Sequence, residues 1–378
     1  MPLSRPSLHP PVVDNSHEAA VVAQRAALAT KARAAPTTAA ATINVPLTTI
    51  SMSGNFDSYI DIAFVGQPSG SWTMLMVDSG NSMLIVPYME AIEAIPNWEQ
   101  TYTILGQANE PWGCPANVVQ GPIQIATSTG TPYTVNGCIF YACTGGTQRT
   151  ANFGAGCVNP WSANGWNTPL HGVTMQAPLS YGTALLFAEF EYAAAASMFD
   201  PAGALLVAGG SWLNLYSAWP PGYTTLQMIP NLEWMSLIPQ ALTIGTAKTG
   251  WPGSVNSPIA MVDTGGGPAF LTDPNGYVWS GNWPDAVTCP TWTSTSTNCN
   301  CISDAITLKL GDGHHSWTYT IDTSSLPPPV QGLTTVMCQL NWYMMGQQGM
   351  NIGGISALFN YILIDYEDRK VGFKARTA

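Results

Sequence analysis

The sequence is poor in charged residues, and poorest in basic ones. Lysine and arginine number 11 in 378 residues, aspartate and glutamate number 22, and the formal net charge is −11. A nucleic-acid partner is therefore not expected, because proteins that bind nucleic acids neutralise phosphates with clustered lysine and arginine. A chain with so few basic groups also gains little positive charge in acid, which suits an acidic working environment.

The few basic residues are unevenly spread. Residues 1–43 carry four basic and two acidic residues, a net +2, whereas the remainder carries seven basic and 20 acidic residues, a net −13. The first 43 residues are Pro-rich, then Ala-rich with helical propensity, and end in a Pro-Thr-Ala stretch. We predict an N-terminal extension over residues 1–43, which is a prosegment, a linker or a flexible tail.

Long apolar runs are missing. No run reaches the roughly 20 residues of a membrane span, so the sequence predicts a soluble protein with no membrane partner. The start is Pro-rich and lacks the apolar core of a secretory signal.

Zinc-type cysteine spacing is also absent. Cys299 and Cys301 lack a second pair at the usual distance, so we predict no metal and no cofactor. The cysteines are even in number, four in each half, which favours disulfides and a secreted or otherwise oxidising location. They are Cys114, Cys138, Cys143, Cys157, Cys289, Cys299, Cys301 and Cys338.

Turn-forming and apolar residues are plentiful. Glycine and proline number 36 and 30, and apolar residues make up 46% of the chain. This composition favours an all-β protein with many turns over a helical or disordered one. A chain of this length is also long enough for two domains with cores of their own.

One short pattern occurs twice in equivalent settings. An apolar run ends in Asp78-Ser79-Gly80, and a second run, 185 residues later, ends in Asp263-Thr264-Gly265. Each run is typical of a buried strand that delivers an aspartate into a tight turn. A single such turn is weak evidence of function, but two copies in the two halves suggest related lobes that bring two carboxylates together.

Strand patterns fill the rest of the chain. The sequence predicts strands or hairpins over 45–52, 59–66, 72–77, 121–127, 131–141, 301–320, 351–355, 359–366 and 371–373. It also predicts a buried strand over 205–210 and two short strands over 234–244. The Ala-rich stretch 184–198 is compatible with strand or helix.

The frame around the two turns resembles the pepsin-like aspartic proteases, from about residue 44 to residue 375. Residues 153–156 and 352–355 are similar to the apolar-Gly segments that brace the family's catalytic turns. Residues 206–210 look like its strand ending in Gly-Gly, and residues 364–373 are similar to its closing strand pair.

This resemblance implies an all-β, bilobal pepsin-like acid protease fold with a central cleft. The lobes would be residues 44–195 and 196–378. The catalytic residues would be Asp78 and Asp263, and a disulfide would join Cys301 to Cys338, leaving Cys289 for Cys299. The implied substrate-binding residues are Ser79, Gly80, Asn81, Trp112, Gly113, Thr264, Gly265 and Gly266.

The implied activity is that of an aspartic endopeptidase. Two adjacent carboxylates cannot both ionise cheaply, so the pair shares a proton and activates a water molecule that attacks the amide carbon. Pepsin is the best-known protein with such a dyad, so this chemistry is implied by the resemblance to its family. The expected partner is a polypeptide or another cleft-bound substrate, and the expected state is a monomer.

Four positions depart from the family pattern. Asn81 and Gly266 stand where the family has a serine or threonine that donates to the outer oxygen of each aspartate. The Asn81 amide is a possible replacement donor, whereas Gly266 has none. Trp112 falls where the family's flap has a tyrosine, with Ile85 in place of that tyrosine's tryptophan partner.

Two alternative functions therefore stay open. One is an enzyme of another class that uses the same dyad on a carbohydrate or small molecule, a hypothesis favoured by tryptophans in segments expected to be loops. Those tryptophans either stack on ligands or anchor the loops. The other is a non-catalytic binding protein. The tryptophans are Trp161, Trp166, Trp212, Trp219, Trp251, Trp279, Trp283 and Trp292.

Overall fold

The protein is all-β in its described parts. The computed structural model describes residues 42–52, 55–87, 89–110, 114–144, 151–157, 175–181, 185–199, 205–229, 235–244, 247–249, 259–265, 269–272, 287–288, 299–301, 305–321, 335–338 and 349–376. These residues belong to one compact unit that begins at residue 41. The first strand begins at Thr42, two residues inside the predicted extension, and the rest of that extension lies outside the described residues. In this part of the chain no helix is long and apolar enough to cross a membrane.

The first ten strands come from the first 216 residues. They are β1 (Thr42–Met52), β2 (Asn55–Phe64), β3 (Thr73–Asp78), β4 (Leu84–Val86), β5 (Thr103–Asn109), β6 (Pro115–Ile125), β7 (Tyr133–Cys143), β8 (Asn152–Gly154), β9 (Phe187–Glu191) and β10 (Leu206–Tyr216).

The remaining strands follow β10. They are β11 (Thr224–Gln227), β12 (Ser236–Ile244), β13 (Ala247–Thr249), β14 (Ile259–Asp263), β15 (Ala269–Thr272), β16 (Val287–Thr288), β17 (Cys299–Cys301), β18 (Ile306–Gly311), β19 (Ser316–Ile321), β20 (Thr335–Cys338), β21 (Gly349–Gly353), β22 (Asn360–Asp365) and β23 (Lys370–Ala375).

The described helices are single turns. Two are α-helical, α1 (Glu90–Glu93) and α2 (Ala195–Met198). Three are 3₁₀ turns, Trp98–Gln100, Pro178–Ser180 and Gly354–Leu358.

The described strands form two sheets. A 13-stranded sheet has the order β11-β23-β22-β9-β10-β1-β2-β3-β8-β4-β7-β6-β5, and a 10-stranded sheet has the order β16-β17-β20-β15-β21-β14-β12-β18-β19, with β13 paired to β12. The larger sheet contains strands from both ends of the sequence, because β22 pairs with β9 and β10 pairs with β1. Four strands of the second half, β10, β11, β22 and β23, thereby complete a sheet built largely by the first half.

Alternation of apolar and polar residues explains the strands that cover the core. In β2 the side chains of Ile60, Ile62 and Phe64 are buried, while Tyr59 and Asp61 are only partly so. Each fully buried side chain of this kind stabilises the fold by about 1.5–3 kcal/mol relative to an exposed one. The strand that leads to Asp263 differs, since Ile259 through Val262 of β14 are all buried. Such continuous burial is typical of strands covered on both faces.

The two halves repeat one pattern of four strands. In the first, β3 runs parallel to β8, β4 is antiparallel to β8, and β4 is parallel to β7. In the second, β14 runs parallel to β21, β15 is antiparallel to β21, and β15 is parallel to β20. The repeated Asp-x-Gly turns thus sit at the ends of equivalent strands in equivalent pairings.

Two strand predictions were wrong in detail. The stretch 205–210 was expected to be buried, but Leu205 and Val207 are 62% and 61% exposed. This part of β10 pairs with β1 on one side only, because β9 pairs with β10 from Trp212 onward. The stretch 234–244 is one strand instead of two, and a register shift between Pro239 and Ala241 lets it continue past the proline.

The tryptophan predictions have mixed outcomes. Trp212 is in β10 and not in a loop. Trp219 does lie between strands, and its ring contacts Phe187 and Tyr223 edge-on at centroid distances of 5.5 and 6.2 Å. Trp219 is thus packed onto the body of the protein, as the anchoring interpretation expects. The other six tryptophans lie outside the described residues.

The four first-half cysteines are all buried. In the second half, the β17–β20 register sets Cys299 opposite Cys338 and Cys301 opposite Val336. Cys289 lies outside the described residues. The disulfide framework, and the oxidising location inferred from it, stay predictions.

Candidate active site

The ends of two strands bring Asp78 and Asp263 together. Asp78 ends β3 beside Gly154 of the parallel strand β8, and Asp263 ends β14 beside Gly353 of the parallel strand β21. Asp78 is 8% exposed, and Asp263 is partly buried. The repeated pattern in the sequence therefore correctly predicted that the two carboxyl groups meet, although the residues lie 185 positions apart.

The hydroxyl residues after the aspartates join the two turns. The Ser79 N–H donates to Thr264 Oγ1 at 3.0 Å, and the Thr264 N–H donates to Ser79 Oγ at 2.9 Å. Ser79 Oγ also donates to the carbonyl of Val262 at 3.0 Å, and Thr264 Oγ1 donates to that of Val77 at 3.2 Å. Both side chains are about 1% exposed. Their observed contacts hold the turns together, and a contact with substrate stays a prediction.

The glycines of the two turns each face the opposite aspartate. A Cβ atom on Gly80 would lie 2.5 Å from Asp263 Cγ, and one on Gly265 would lie 2.6 Å from Asp78 Cγ. These distances are far inside van der Waals contact, so only glycine lets the two turns approach this closely. Each motif therefore needs glycine for two reasons, the turn itself and the carboxyl group of the opposite turn.

The Asp78 carboxylate accepts a hydrogen bond on each oxygen. The Gly80 N–H donates to Oδ1 at 2.8 Å, and Asn152 Nδ2 donates to Oδ2 at 2.8 Å. In the second turn, the Gly265 N–H donates to Asp263 Oδ1 at 3.0 Å. The matching bonds at Gly80 and Gly265 show that the two turns share their local geometry.

The environment of Asp78 favours its protonated form. Burial, and then the nearby Asp263 carboxyl group, raise the pKa of Asp78 well above its usual range, while hydrogen bonds from Asn152 and Gly80 act in the opposite direction. Burial and a like charge both disfavour an ionised carboxylate. A carboxyl group that keeps its proton beside a second carboxyl group is the requirement for a proton-sharing pair.

Asn81 contacts the site in an unexpected way. It was considered as a donor to Asp78, but its Nδ2 donates to Asn152 Oδ1 at 3.0 Å and to the carbonyl of Met83 at 3.4 Å. Its Oδ1 accepts from the Met83 N–H at 3.0 Å. Asn81 therefore acts on Asp78 through Asn152 and not directly.

Asn152 is the site residue that sequence reasoning missed. It is fully buried on β8, where the register pairs it with Met76, two residues before Asp78. A signal was present in the sequence, because the tripeptide Asn-apolar-Gly occurs at residues 152–154 and again at 351–353. The second copy has the same register, with Asn351 opposite Met261.

The backbone around Asp78 is tied to both neighbouring segments. The Ala155 N–H donates to the carbonyl of Asp78 at 2.8 Å, and the Gly156 N–H donates to that of Asn81 at 2.7 Å. The buried Tyr366 hydroxyl donates to the Ala155 carbonyl at 2.6 Å. The C-terminal part of the chain thus helps to position the loop that supports Asp78.

The structure does not describe three of the predicted site residues. Trp112, Gly113 and Gly266 lie outside the described residues, so their assignment to the substrate site stays a prediction. Within the described ranges, no cluster of three or more His, Cys, Asp or Glu residues is arranged to hold a metal ion.

Comparison with known proteins adds no family assignment. No protein-family model matches the chain, and no curated protein matches it either.

Proposed function

We propose that this protein has the bilobal pepsin-like fold and is a hydrolase of the aspartic endopeptidase type. The observation that carries the proposal is the reciprocal pair of turns, in which Gly80 lies against the Asp263 carboxyl group and Gly265 against that of Asp78. A binding protein has no need of two carboxyl groups in such proximity, because their repulsion opposes folding. We therefore expect a protein to keep both carboxyl groups, despite their repulsion, where its chemistry needs them to share a proton.

The chemistry follows from the two environments. Asp78 is the more buried carboxyl group and has the raised pKa, so it is the member that holds the proton. Asp263 then acts as the general base and takes a proton from water, whose oxygen attacks the scissile amide carbon. The Asp78 proton stabilises the carbonyl oxygen as it becomes a hydroxyl group. Collapse of the tetrahedral intermediate breaks the C–N bond. One hydroxyl proton of the intermediate returns to Asp78, and the proton on Asp263 passes to the leaving nitrogen.

The fixed hydrogen-bond donors hold the two aspartates in position during these steps. Hydrogen bonds between Ser79 and Thr264 join the two turns. The N–H groups of Gly80 and Gly265 each donate to one oxygen of the aspartate in their own turn. Donors that are already oriented before the reaction stabilise charge without reorganisation. The expected substrate is an extended polypeptide with no covalent intermediate.

The test is cleavage of a denatured protein by the purified full chain. Denatured serum albumin is incubated at pH values from about 2 to 7, the range in which carboxyl groups titrate, and new termini are identified by mass spectrometry. Cleavage in the acidic part of this range is expected, and Asp78→Asn and Asp263→Asn should abolish it. Added hydroxylamine should yield no hydroxamate products, because no acyl-enzyme forms.

A negative result has a defined meaning. If the folded protein cleaves nothing at any of these pH values, the endopeptidase proposal is wrong. A parallel screen of polysaccharides and small lactones with the same Asp78→Asn control then tests the alternative use of the dyad on a non-peptide substrate.

A further inference from the structure

We propose that Asn152 is a positioning residue of the dyad, whose side-chain amide orients Asp78 and sets its proton affinity. The inference rests on the proposed function insofar as it assigns that carboxyl group a catalytic role. The contact itself is independent of the reaction, since Asn152 Nδ2 donates to Asp78 Oδ2 at 2.8 Å.

Both oxygens of Asp78 are held by groups that cannot ionise. Oδ1 accepts from the Gly80 N–H at 2.8 Å, and Oδ2 accepts from Asn152. With a donor on each oxygen, the plane of the carboxyl group is fixed relative to Asp263. Because neither the Asn152 amide nor the Gly80 N–H titrates, each can donate to Asp78 at every pH.

The orientation of the Asn152 amide follows from its second partner. Asn81 Nδ2 donates to Asn152 Oδ1 at 3.0 Å, while Asn81 Oδ1 accepts from the Met83 N–H. Reversing Asn152 would set its oxygen against the Asp78 carboxylate and its NH₂ against that of Asn81. Both contacts would then be repulsive, so the network fixes which atom of Asn152 faces the aspartate.

The backbone that carries Asn152 belongs to a strand that is paired on both sides. Strand β8 is paired on one side with β3, at Met76, and on the other with β4, at Ile85. The side chain is fully buried, so exchange with water does not compete with the bond to Asp78. A site built on paired strands is held more precisely than one built on a loop.

The same residue type recurs at the equivalent position of the second half. Asn351 of β21 is opposite Met261, as Asn152 of β8 is opposite Met76. Asn81 and Gly266 stand where pepsin-like proteases have a hydroxyl donor to each aspartate. The same chain has an asparagine at this register position in each half. The recurrence argues that the choice of Asn152 is tied to the dyad and not to local packing.

The groups that act on Asp78 can be named for each neighbouring element. Its own turn contributes the Gly80 N–H, β8 contributes Asn152, and the second turn contributes Asp263, which is the titratable group among these described neighbours. Asp263 opposes ionisation of Asp78, and Asn152 favours it. Loss of the Asn152 donor should therefore raise the pKa of Asp78 further.

The first test uses the unmodified full chain. Asparagine is labelled with ¹⁵N in its side chain and aspartate with ¹³C in its carboxyl group, and both are followed by NMR during a pH titration. The Asn152 Nδ2 signal should move with the same midpoint as the Asp78 carboxyl signal. If the carboxyl group titrates while the Asn152 amide signal stays constant, the proposal is overturned.

The second test compares Asn152→Leu with Asn360→Leu. Asn360 is a matched control, because it is also buried in the 13-stranded sheet, and its amide nitrogen has no hydrogen-bond partner in the described structure. Asn152→Leu should move the midpoint of the Asp78 titration upward by about one to two pH units, the worth of a hydrogen bond to a charged group. Asn360→Leu should leave that midpoint unchanged even if it lowers stability.

Activity gives a separate readout. The alkaline limb of the pH profile of kcat/KM, where the pair loses its shared proton, should move upward with the titration in Asn152→Leu. If Asn152→Leu does not fold, Asn152→Ser replaces it, since the shorter side chain also loses the bond to Oδ2. An unchanged midpoint in either folded variant contradicts the proposal.

The two proposals fail in different ways. If the wild-type chain cleaves no protein while the Asn152 signal follows the Asp78 titration, the proposed function fails and the positioning role stands. If the wild type cleaves protein and the variants keep its pH profile, the proposed function stands and the positioning role fails.

Discussion

Ser79 and Thr264 exchange hydrogen bonds across the two turns that carry the aspartates. Each backbone N–H donates to the hydroxyl oxygen of the other residue, at 3.0 Å and 2.9 Å, and each hydroxyl donates onward to a buried carbonyl of the other half. The two halves of the chain are thereby joined directly behind the carboxyl groups.

Removing one hydroxyl of the exchange should be strongly destabilising. Thr264→Val preserves the shape of the side chain but leaves a buried N–H and a buried carbonyl unpaired, which costs about 1–3 kcal/mol. Ser79→Ala should cost a similar amount. The double variant should lose less than the sum, with a coupling of about 0.5–3 kcal/mol, because the same network is broken only once. Urea unfolding of the four proteins measures this cycle.

Thr307→Val serves as the control for this cycle. Thr307 and Thr320 form a solvent-exposed hydroxyl pair at 3.3 Å on the β18–β19 hairpin. Its loss should change the free energy of unfolding by no more than about 0.5 kcal/mol. Strict additivity of the Ser79 and Thr264 variants would show that the exchange is not a cooperative unit.

Adding one methyl group at either turn glycine should disable the dyad. In Gly80→Ala the new Cβ would lie 2.5 Å from Asp263 Cγ, and in Gly265→Ala it would lie 2.6 Å from Asp78 Cγ. The facing carboxyl group has to move away, and a misplacement of about 1 Å costs on the order of 100-fold in rate. Each variant should lose activity through kcat, measured on the substrate that the wild type cleaves.

Gly209→Ala is the matched control for these two variants. A Cβ on Gly209 has no atom within 4 Å, and its φ is not in the left-handed region. This substitution should leave kcat unchanged. Wild-type activity in Gly80→Ala would mean that Asp263 does not need its observed position.

The sequence predicted the aspartate turns because their signals are local. An apolar run followed by Asp-x-Gly specifies a buried strand and a tight turn without reference to distant residues. The hairpin predicted over residues 301–320, from alternation around a turn at residues 311–313, forms for the same reason, and its strands pair over residues 306–321. Such features follow from short stretches of sequence.

Asn152 could not be predicted in the same way. It lies 74 residues from Asp78 and reaches it through a parallel pairing of β8 with β3. Parallel pairing has no local turn signal, so its register appears only in the folded chain. The exposure of Val207 was missed for a related reason, since it depends on where the neighbouring strand β9 ends.

Tyr366→Phe tests whether the C-terminal segment supports the loop behind Asp78. The buried hydroxyl donates to the Ala155 carbonyl at 2.6 Å, and Ala155 in turn donates its N–H to the Asp78 carbonyl. Loss of the hydroxyl leaves a buried carbonyl unpaired and should cost about 1–3 kcal/mol in urea unfolding. Tyr361→Phe, at a partly exposed tyrosine on β22, should cost much less. Equal effects of the two variants would contradict a supporting role for Tyr366.

Asp78→Asn should become more stable relative to the wild type as the pH rises from acid to neutral. Burial and Asp263 raise the pKa of Asp78 in the folded protein above the unfolded value near 3.8. Between these two values the unfolded chain has released the proton while the folded protein still holds it, so wild-type stability falls as pH rises. The neutral amide does not titrate. The stability of Asp78→Asn relative to the wild type should therefore rise from about pH 4 upward and stay constant in stronger acid.

Asp312→Asn should show the opposite pH dependence when its thermal unfolding is compared with that of the wild type and of Asp78→Asn from about pH 2 to 7, the range in which carboxyl groups titrate. Burial acts to raise the pKa of Asp312, but hydrogen bonds from the backbone N–H groups of His315, Gln227 and His314 outweigh it and hold that pKa below its usual range. The ionised form is then the stabilising one, and its contribution is present above the unfolded value and lost as pH falls. Asp312→Asn should thus be less stable than wild type at neutral pH, and the difference should shrink in acid. If both variants changed stability with the same sign of pH dependence, the raised pKa of Asp78 would have to be abandoned as the cause.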